Sequence, residues 1–145
     1  TPKDYYYLLL GQYAQTSRLI DSSANRGLVV ADTNSLVTKA YYDYYLKESP
    51  VQDEETDTFD NLFASILSKE KWDLILFAEP VGTYVNDGFR DMSMADEAIR
   101  SDFSSHLKRL KDQCLAHIPT VYLAGSYLDN YQAAKEAIDM IYQAD

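Results

Sequence analysis

The sequence has little of what several protein classes require. A single cysteine, Cys114, cannot form an internal disulfide, which excludes a disulfide-stapled secreted scaffold and fits a reducing compartment. No Cys/His cluster has the spacing of a zinc site. No apolar run approaches the length that crosses a bilayer, and no basic start before an apolar stretch marks a signal peptide. We therefore expect a cytoplasmic protein without a membrane partner.

Basic residues are also scarce. The 13 Lys and Arg stand against 23 Asp and Glu, which gives the 145-residue chain a formal net charge of −10. Because nucleic-acid surfaces are built from clustered Lys and Arg, we expect no nucleic-acid partner for this segment. A small phosphorylated ligand is compatible with this charge, since a few placed residues can hold it.

Apolar β-forming runs alternate along the chain with segments of helical periodicity. The predicted strands are 28–31, 72–78 and 120–124; the predicted helices are 4–24, 35–48, 59–71, 95–118 and one after Ser126, with 49–58 an exposed loop. Strands that alternate with helices indicate an α/β fold with a parallel sheet flanked by helices. Ligands of such folds bind beyond the carboxyl ends of the strands, so the segments that follow the strands form the candidate site.

Asp32 and Thr33 end the first predicted strand. An apolar strand that closes on Asp is typical of sites that hold Mg²⁺, often through water, in phosphoryl-transfer enzymes. The alternative is that the oxygens of Asp32, Thr33, Asn34 and Ser35 only cap the next helix. These residues by themselves leave both interpretations open.

The segment GTYVNDGFR at 82–90 follows the second predicted strand. It carries an aromatic ring at Tyr84, a carboxylate at Asp87 and a guanidinium at Arg90, and Arg100 follows ten residues later. Arginines on a mobile segment can close over a nucleotide and neutralise charge on the transferred phosphoryl group. The alternative is a solvated loop with an ordinary Asp87–Arg90 ion pair.

Four short motifs follow one another along the chain: DYYYLLLGQ at 4–12, LVVADTN at 28–34, DLILFAE at 73–79 and YVNDGFR at 84–90. In this order they resemble the ribosylnicotinamide kinase domain of the NadR family, a P-loop nucleoside kinase. The strongest of them, VNDGFR, is close to that family's V-x-D-G-[LF]-R lid. The resemblance covers nearly the whole chain.

The resemblance implies an enzyme of NAD salvage that moves the γ-phosphoryl group of ATP to nicotinamide riboside and forms nicotinamide mononucleotide. It implies Mg²⁺ with ATP, held by Asp32 and Thr33. The catalytic residues that it implies are Asp32, Arg90 and Arg100, of which the two arginines also bind ATP. The substrate-binding residues that it implies are Asp4, Gln12, Asn34, Tyr84 and Asp87, with Tyr84 stacked on the nicotinamide ring.

The sequence contains no G-x-x-x-x-G-K-[ST] motif, whose backbone N–H groups cradle phosphates in P-loop kinases. In such kinases the phosphate-binding strand lies beside the strand that carries the acid, so a strand is expected between 28–31 and 72–78. We therefore expect residues 1–145 to be the C-terminal part of a single P-loop kinase-like domain with an incomplete core. We expect this part to be inactive without an upstream segment of the same polypeptide.

Two other functions fit the residues. One is a non-catalytic regulatory module that senses a nucleotide or an NAD precursor, which the missing phosphate loop favours. The other is a plain α/β interaction domain in which the Asp-Gly-Phe-Arg loop is incidental surface, because fold by itself does not determine function.

Overall fold

The computed structural model describes residues 1–23, 27–46, 54–80, 88 and 92–143. They form two compact units, Thr1–Glu70 and Lys71–Asp145. The first is helical, and the second contains a small parallel sheet flanked by helices. This is the predicted α/β class, consistent with a P-loop kinase-like fold. Among the described helices none is long and apolar enough to cross a membrane.

Three helices build the first unit: α1 (Pro2–Ser23), α2 (Ser35–Leu46) and α3 (Glu54–Lys69). The prediction of an exposed loop through residue 58 is wrong, because α3 already begins at Glu54. Acidic side chains in a first helical turn interact favourably with the helix dipole, and the acidity that suggested a loop suits a helix start equally well. The Thr58 hydroxyl also donates to the Glu54 carbonyl at 2.7 Å, within this turn.

Aromatic rings form the centre of the first unit. Phe59 of α3 is fully buried, and Tyr42 of α2 stacks on it with 3.9 Å between ring centroids and 7° between planes. Tyr5 of α1 meets Tyr42 edge to face at 5.7 Å. Leu9, one helical turn further along α1, is also fully buried. Each of the three helices therefore contributes a side chain to one core.

A half-buried ion pair network joins α2 to α3 beside these rings. Lys39 Nζ lies 2.7 Å from Asp43 and 3.3 Å from Asp60, and 5.1 Å from the centre of the Tyr42 ring. Burial acts to lower the pKa of Lys39, but hydrogen bonds to Asp43 and the charges of both carboxylates outweigh it and raise the pKa. The network therefore favours the charged lysine in the folded state.

Residues 28–31 are not a strand, contrary to the prediction from their apolar run. Leu28 and Val30 are 48% and 69% exposed. A strand needs a neighbour for its backbone hydrogen bonds, and in the described part of the chain only 75–78 and 120–123 pair with each other. Within the described residues the apolar run therefore lies outside the sheet, and Asp32 does not end a paired strand. Gly27, which precedes the run, has a φ of +81°, a left-handed conformation that suits glycine.

The second unit contains β1 (Ile75–Ala78) and β2 (Thr120–Leu123), which pair in parallel with Phe77 opposite Tyr122. Both strands are shorter than predicted. Its helices are α4 (Glu97–Cys114) and α5 (Tyr127–Gln143), and a short 3₁₀ turn spans Met92–Ala95. Asp96 caps α4 by accepting from the backbone N–H of Ala98 at 2.8 Å, which starts the helix two residues later than predicted. Glu79 and Pro80 follow the carboxyl end of β1, the position at which parallel α/β folds bind ligands.

Candidate functional site

One candidate site, within the first unit, is the turn that joins residues 28–31 to α2. Thr33, in this turn, has a φ of +67°. A β-branched residue rarely adopts this left-handed conformation, which costs about 1–2 kcal/mol and persists only where surrounding contacts impose it. The turn is therefore held by its neighbours and not by local preference.

The Gln12 side chain supplies those contacts. Its amide lies 3.0 Å from the hydroxyls of both Thr33 and Thr38. With Nε2 toward Thr38, the amide also donates to the Asn34 carbonyl at 3.2 Å and accepts from the Asn34 N–H at 3.3 Å. This orientation satisfies every partner, so we assign it. The structure thus brings together three residues that the resemblance placed in the site: Gln12, Thr33 and Asn34.

The next two residues begin α2. The Asn34 side chain accepts from the Leu36 N–H at 3.1 Å, which is a helix cap. Ser35, 1% exposed, donates its hydroxyl to Glu70 at 2.8 Å. Asn34 therefore caps α2, which was one of the two interpretations left open by the sequence. Ser35 connects the turn to Glu70, directly after α3.

Asp32 differs from these neighbours. Its side chain is exposed and has neither a hydrogen bond nor an ion pair with a described residue. An open carboxylate is a ligand that Mg²⁺ accepts, commonly with water and substrate phosphates as the other ligands. The described residues contain no cluster of three His, Cys, Asp or Glu that could hold a metal ion by themselves. A metal ion at Asp32 would therefore need water or a substrate to supply its other ligands.

Asp4 lies apart from this turn. It is on the first turn of α1, eight residues before Gln12, which is about 12 Å along the helix axis. The Thr1 hydroxyl donates a hydrogen bond to the Asp4 carboxylate at 2.8 Å. The structure therefore does not place Asp4 beside Gln12.

The predicted lid is described only in part. Tyr84, Asp87 and Arg90 lie outside the described residues. Gly88 is described and has a φ of +82°, a conformation that suits glycine. Arg100 lies on α4 in the second unit, half-buried.

A pocket of about 330 Å³ forms around Arg100. Glu79 and Pro80, which follow β1, line one side, and α4 lines the other with Ser104 and Lys108 among others. Its volume is at the lower end of the range for small-molecule sites, and its lining is mostly polar. It lies at the carboxyl end of a parallel strand, where the sequence predicted ligand binding.

An ion pair crosses this pocket between Lys108 and Glu79. Lys108 Nζ also lies over the rings of Phe77 and Tyr122, at 5.7 and 5.3 Å from their centres. Because the two rings belong to adjacent strands, these cation–π contacts tie α4 to the sheet. Lys108 is thus held at the pocket wall by one carboxylate and two ring faces.

Ser104 is the pocket's unexplained polar group. The residue is 9% exposed, and its hydroxyl is buried without a hydrogen-bond partner in the described part of the chain. Sequence reasoning missed Ser104 and Lys108 because it followed the apolar face of α4. A usable signal was present: Arg100, Ser104 and Lys108 are four residues apart and must share one helix face.

We expect Ser104→Ala to raise the free energy of unfolding by about 1 kcal/mol. A buried hydroxyl without a partner loses its hydration on folding and gains nothing in return, and alanine removes that cost. Urea unfolding followed by circular dichroism measures the change.

Ser101→Ala is the matched control, because Ser101 is exposed on the same helix and the two exchanges alter helix propensity equally. A Ser104→Ala variant less stable than Ser101→Ala would mean that the Ser104 hydroxyl has a partner after all.

A known protein family matches most of the chain. The profile of an AAA domain family covers residues 4–127, which include parts of both units. Neither the curated proteins nor the solved structures include a significant match. The family is P-loop NTPase-like, and its members are nucleotide-binding, kinase-like modules. By its match over residues 4–127, the chain belongs to this AAA domain family.

Proposed function

We propose that the chain is part of a nucleoside kinase that transfers the γ-phosphoryl group of ATP to nicotinamide riboside. The observation that carries the proposal is the polar pocket beyond β1, which contains Arg100, Lys108 and a buried hydroxyl without a partner. Family membership supports a nucleotide as the phosphoryl donor. The four ordered motifs support nicotinamide riboside as the acceptor. The alternatives in the same family are kinases for other nucleosides.

In this reaction the bond between the γ-phosphorus and the β,γ-bridging oxygen breaks, and a bond to the ribose 5′-oxygen forms. Arg100 neutralises charge on the transferred group, for which a planar guanidinium is suited. The resemblance assigns Asp32 one of two roles, which are to accept the proton of the 5′-hydroxyl or to hold Mg²⁺. The chemistry that Mg²⁺ would supply, if it were bound with ATP, is neutralisation of phosphate charge.

The charge of the pocket agrees with a nucleotide that carries its own cation. Two carboxylates, Glu79 and Glu97, balance Arg100 and Lys108 in the lining. A bare triphosphate would be repelled by the carboxylates and by a chain of net charge −10. ATP with Mg²⁺ presents less negative charge and a cation that carboxylates can face.

The proposal is tested by measuring nicotinamide mononucleotide and ADP formation in two proteins. One is the 145-residue chain, and the other adds the upstream coding sequence of its gene. We expect turnover only in the longer protein, because the phosphate-cradling loop is not among these residues. Turnover of another nucleoside in preference would correct the substrate, and absence of turnover in both would reject the kinase.

A second candidate is a sensing module that binds a nucleotide or an NAD precursor without chemistry. It is favoured by the missing G-x-x-x-x-G-K-[ST] motif. It is also favoured by the ion pair with Glu79, because Lys108 already has a carboxylate partner in the pocket. Calorimetric titration with ATP and with nicotinamide riboside separates the two. Binding of either ligand by the longer protein without product formation would support sensing.

A further inference from the structure

We propose that Gln12 is a positioning residue, whose amide holds Thr33 in its left-handed conformation and so sets how Asp32 and Asn34 are presented. The inference concerns the turn itself. It rests on the proposed function only for the chemistry assigned to Asp32. It replaces a direct contact between Gln12 and the nucleoside with an action through the turn.

The hydrogen-bonding capacity of the amide is the first argument. A primary amide offers two donors and two acceptor sites. In Gln12 all four are used within 3.3 Å, by the Thr33 and Thr38 hydroxyls and by the N–H and C=O of Asn34. No group of the amide is left for a nucleoside while the turn has this form.

The conformation of Thr33 is the second argument. Its φ of +67° is unfavourable for a β-branched residue, and no local cap or glycine relieves it. The contacts of Gln12 reach the Thr33 side chain and both backbone polar groups of the next residue. They therefore act on the two residues that determine the turn.

The anchoring of Gln12 is the third argument. Leu9, three residues earlier on α1, is fully buried in the core of the first unit. Thr38, the fourth partner, lies one turn into α2. The amide thus connects the turn to two packed helices. Their packing in the core therefore determines the position of Asp32.

A double-mutant cycle between Gln12 and Thr33 tests the inference on the 145-residue chain. We expect Gln12→Ala to lower Tm by about 4–8 °C and to speed hydrogen exchange of the Asn34 amide. Thr33→Gly in the Gln12→Ala background should recover much of the lost Tm, because glycine adopts a positive φ without strain. The Tm of Gln12→Glu should lie between those of the unaltered protein and Gln12→Ala, because a carboxylate keeps the acceptors of the amide and loses its donors.

Leu9→Ala is the matched control, since it weakens the same helix without touching the turn. Thr33→Gly should not restore the Tm of Leu9→Ala. The inference is overturned if Gln12→Ala leaves the exchange of the Asn34 amide unchanged, or if Thr33→Gly restores both variants equally.

The kinetic arm uses the longer protein with ATP and nicotinamide riboside. Positioning predicts that Gln12→Ala lowers kcat, leaves the nucleoside KM nearly unchanged and is partly rescued by Thr33→Gly. A direct nucleoside contact predicts a raised KM without rescue and overturns the inference. If no variant turns over, the proposed function fails, while Tm and hydrogen exchange still decide the role of Gln12.

Discussion

Phe59→Ala is expected to lower the free energy of unfolding of the first unit by about 3–5 kcal/mol. The side chain is fully buried and stacks on Tyr42 at 3.9 Å, so its removal loses both the transfer free energy of a ring and one aromatic pair. The packing of α1 and α2 against α3 limits collapse of the cavity that remains. Urea unfolding by circular dichroism measures the loss, and hydrogen exchange locates it in α1, α2 and α3.

Tyr45→Ala is the control for this prediction. Tyr45 is 47% exposed on α2, and its ring contacts those of Tyr41 and Tyr44. Its loss should cost about 1 kcal/mol or less, the usual scale for surface substitutions with some packing. If Phe59→Ala were no more costly than Tyr45→Ala, the three helices would not share the core described above.

Arg100→Ala is expected to lower kcat of the longer protein by about 10²–10³-fold, the usual effect of removing a group that stabilises transition-state charge. Arg100 is half-buried in the pocket wall, where its charge is screened less than on an open surface. Steady-state rates with ATP and nicotinamide riboside provide the measurement. Arg100→Lys should recover only part of the rate, because an ammonium cannot make two parallel hydrogen bonds to a phosphoryl group.

Arg109→Ala is the matched control, since Arg109 is exposed on the same helix and its removal changes the net charge equally. The kcat of Arg109→Ala should stay close to that of the unaltered longer protein. Equal rates for Arg100→Ala and the unaltered protein would remove Arg100 from the catalytic assignment, whereas equal losses in both variants would indicate a general charge effect.

Helix positions could be predicted from the sequence because helices are local. Apolar residues recur at helical spacing in α1, α2 and α4, and a cap such as Asp96 lies within a few residues of the groups it satisfies. The two strands that pair were also predicted, although with longer bounds. Their apolar runs are flanked by turn residues and belong to the parallel class that alternates with helices.

The errors have a common cause, which is that pairing and burial involve distant residues. The run 28–31 is as apolar as 75–78, but in the described part of the chain only the latter has a neighbouring strand. Similarly, the acidic stretch before Phe59 is compatible with a loop or a helix start. Local composition could not distinguish these cases, because the choice depends on contacts with other elements.

The amino-acid sequence by itself determined the helices, the α/β class and the family motifs, since these depend on spacing between near neighbours. Tertiary structure decided which apolar run becomes a strand, that Gln12 meets Thr33 across 21 residues, and that Glu79 meets Lys108 beside a buried hydroxyl. Such contacts are set by packing between elements, where many side chains jointly choose one arrangement. No single segment contains the information that specifies them.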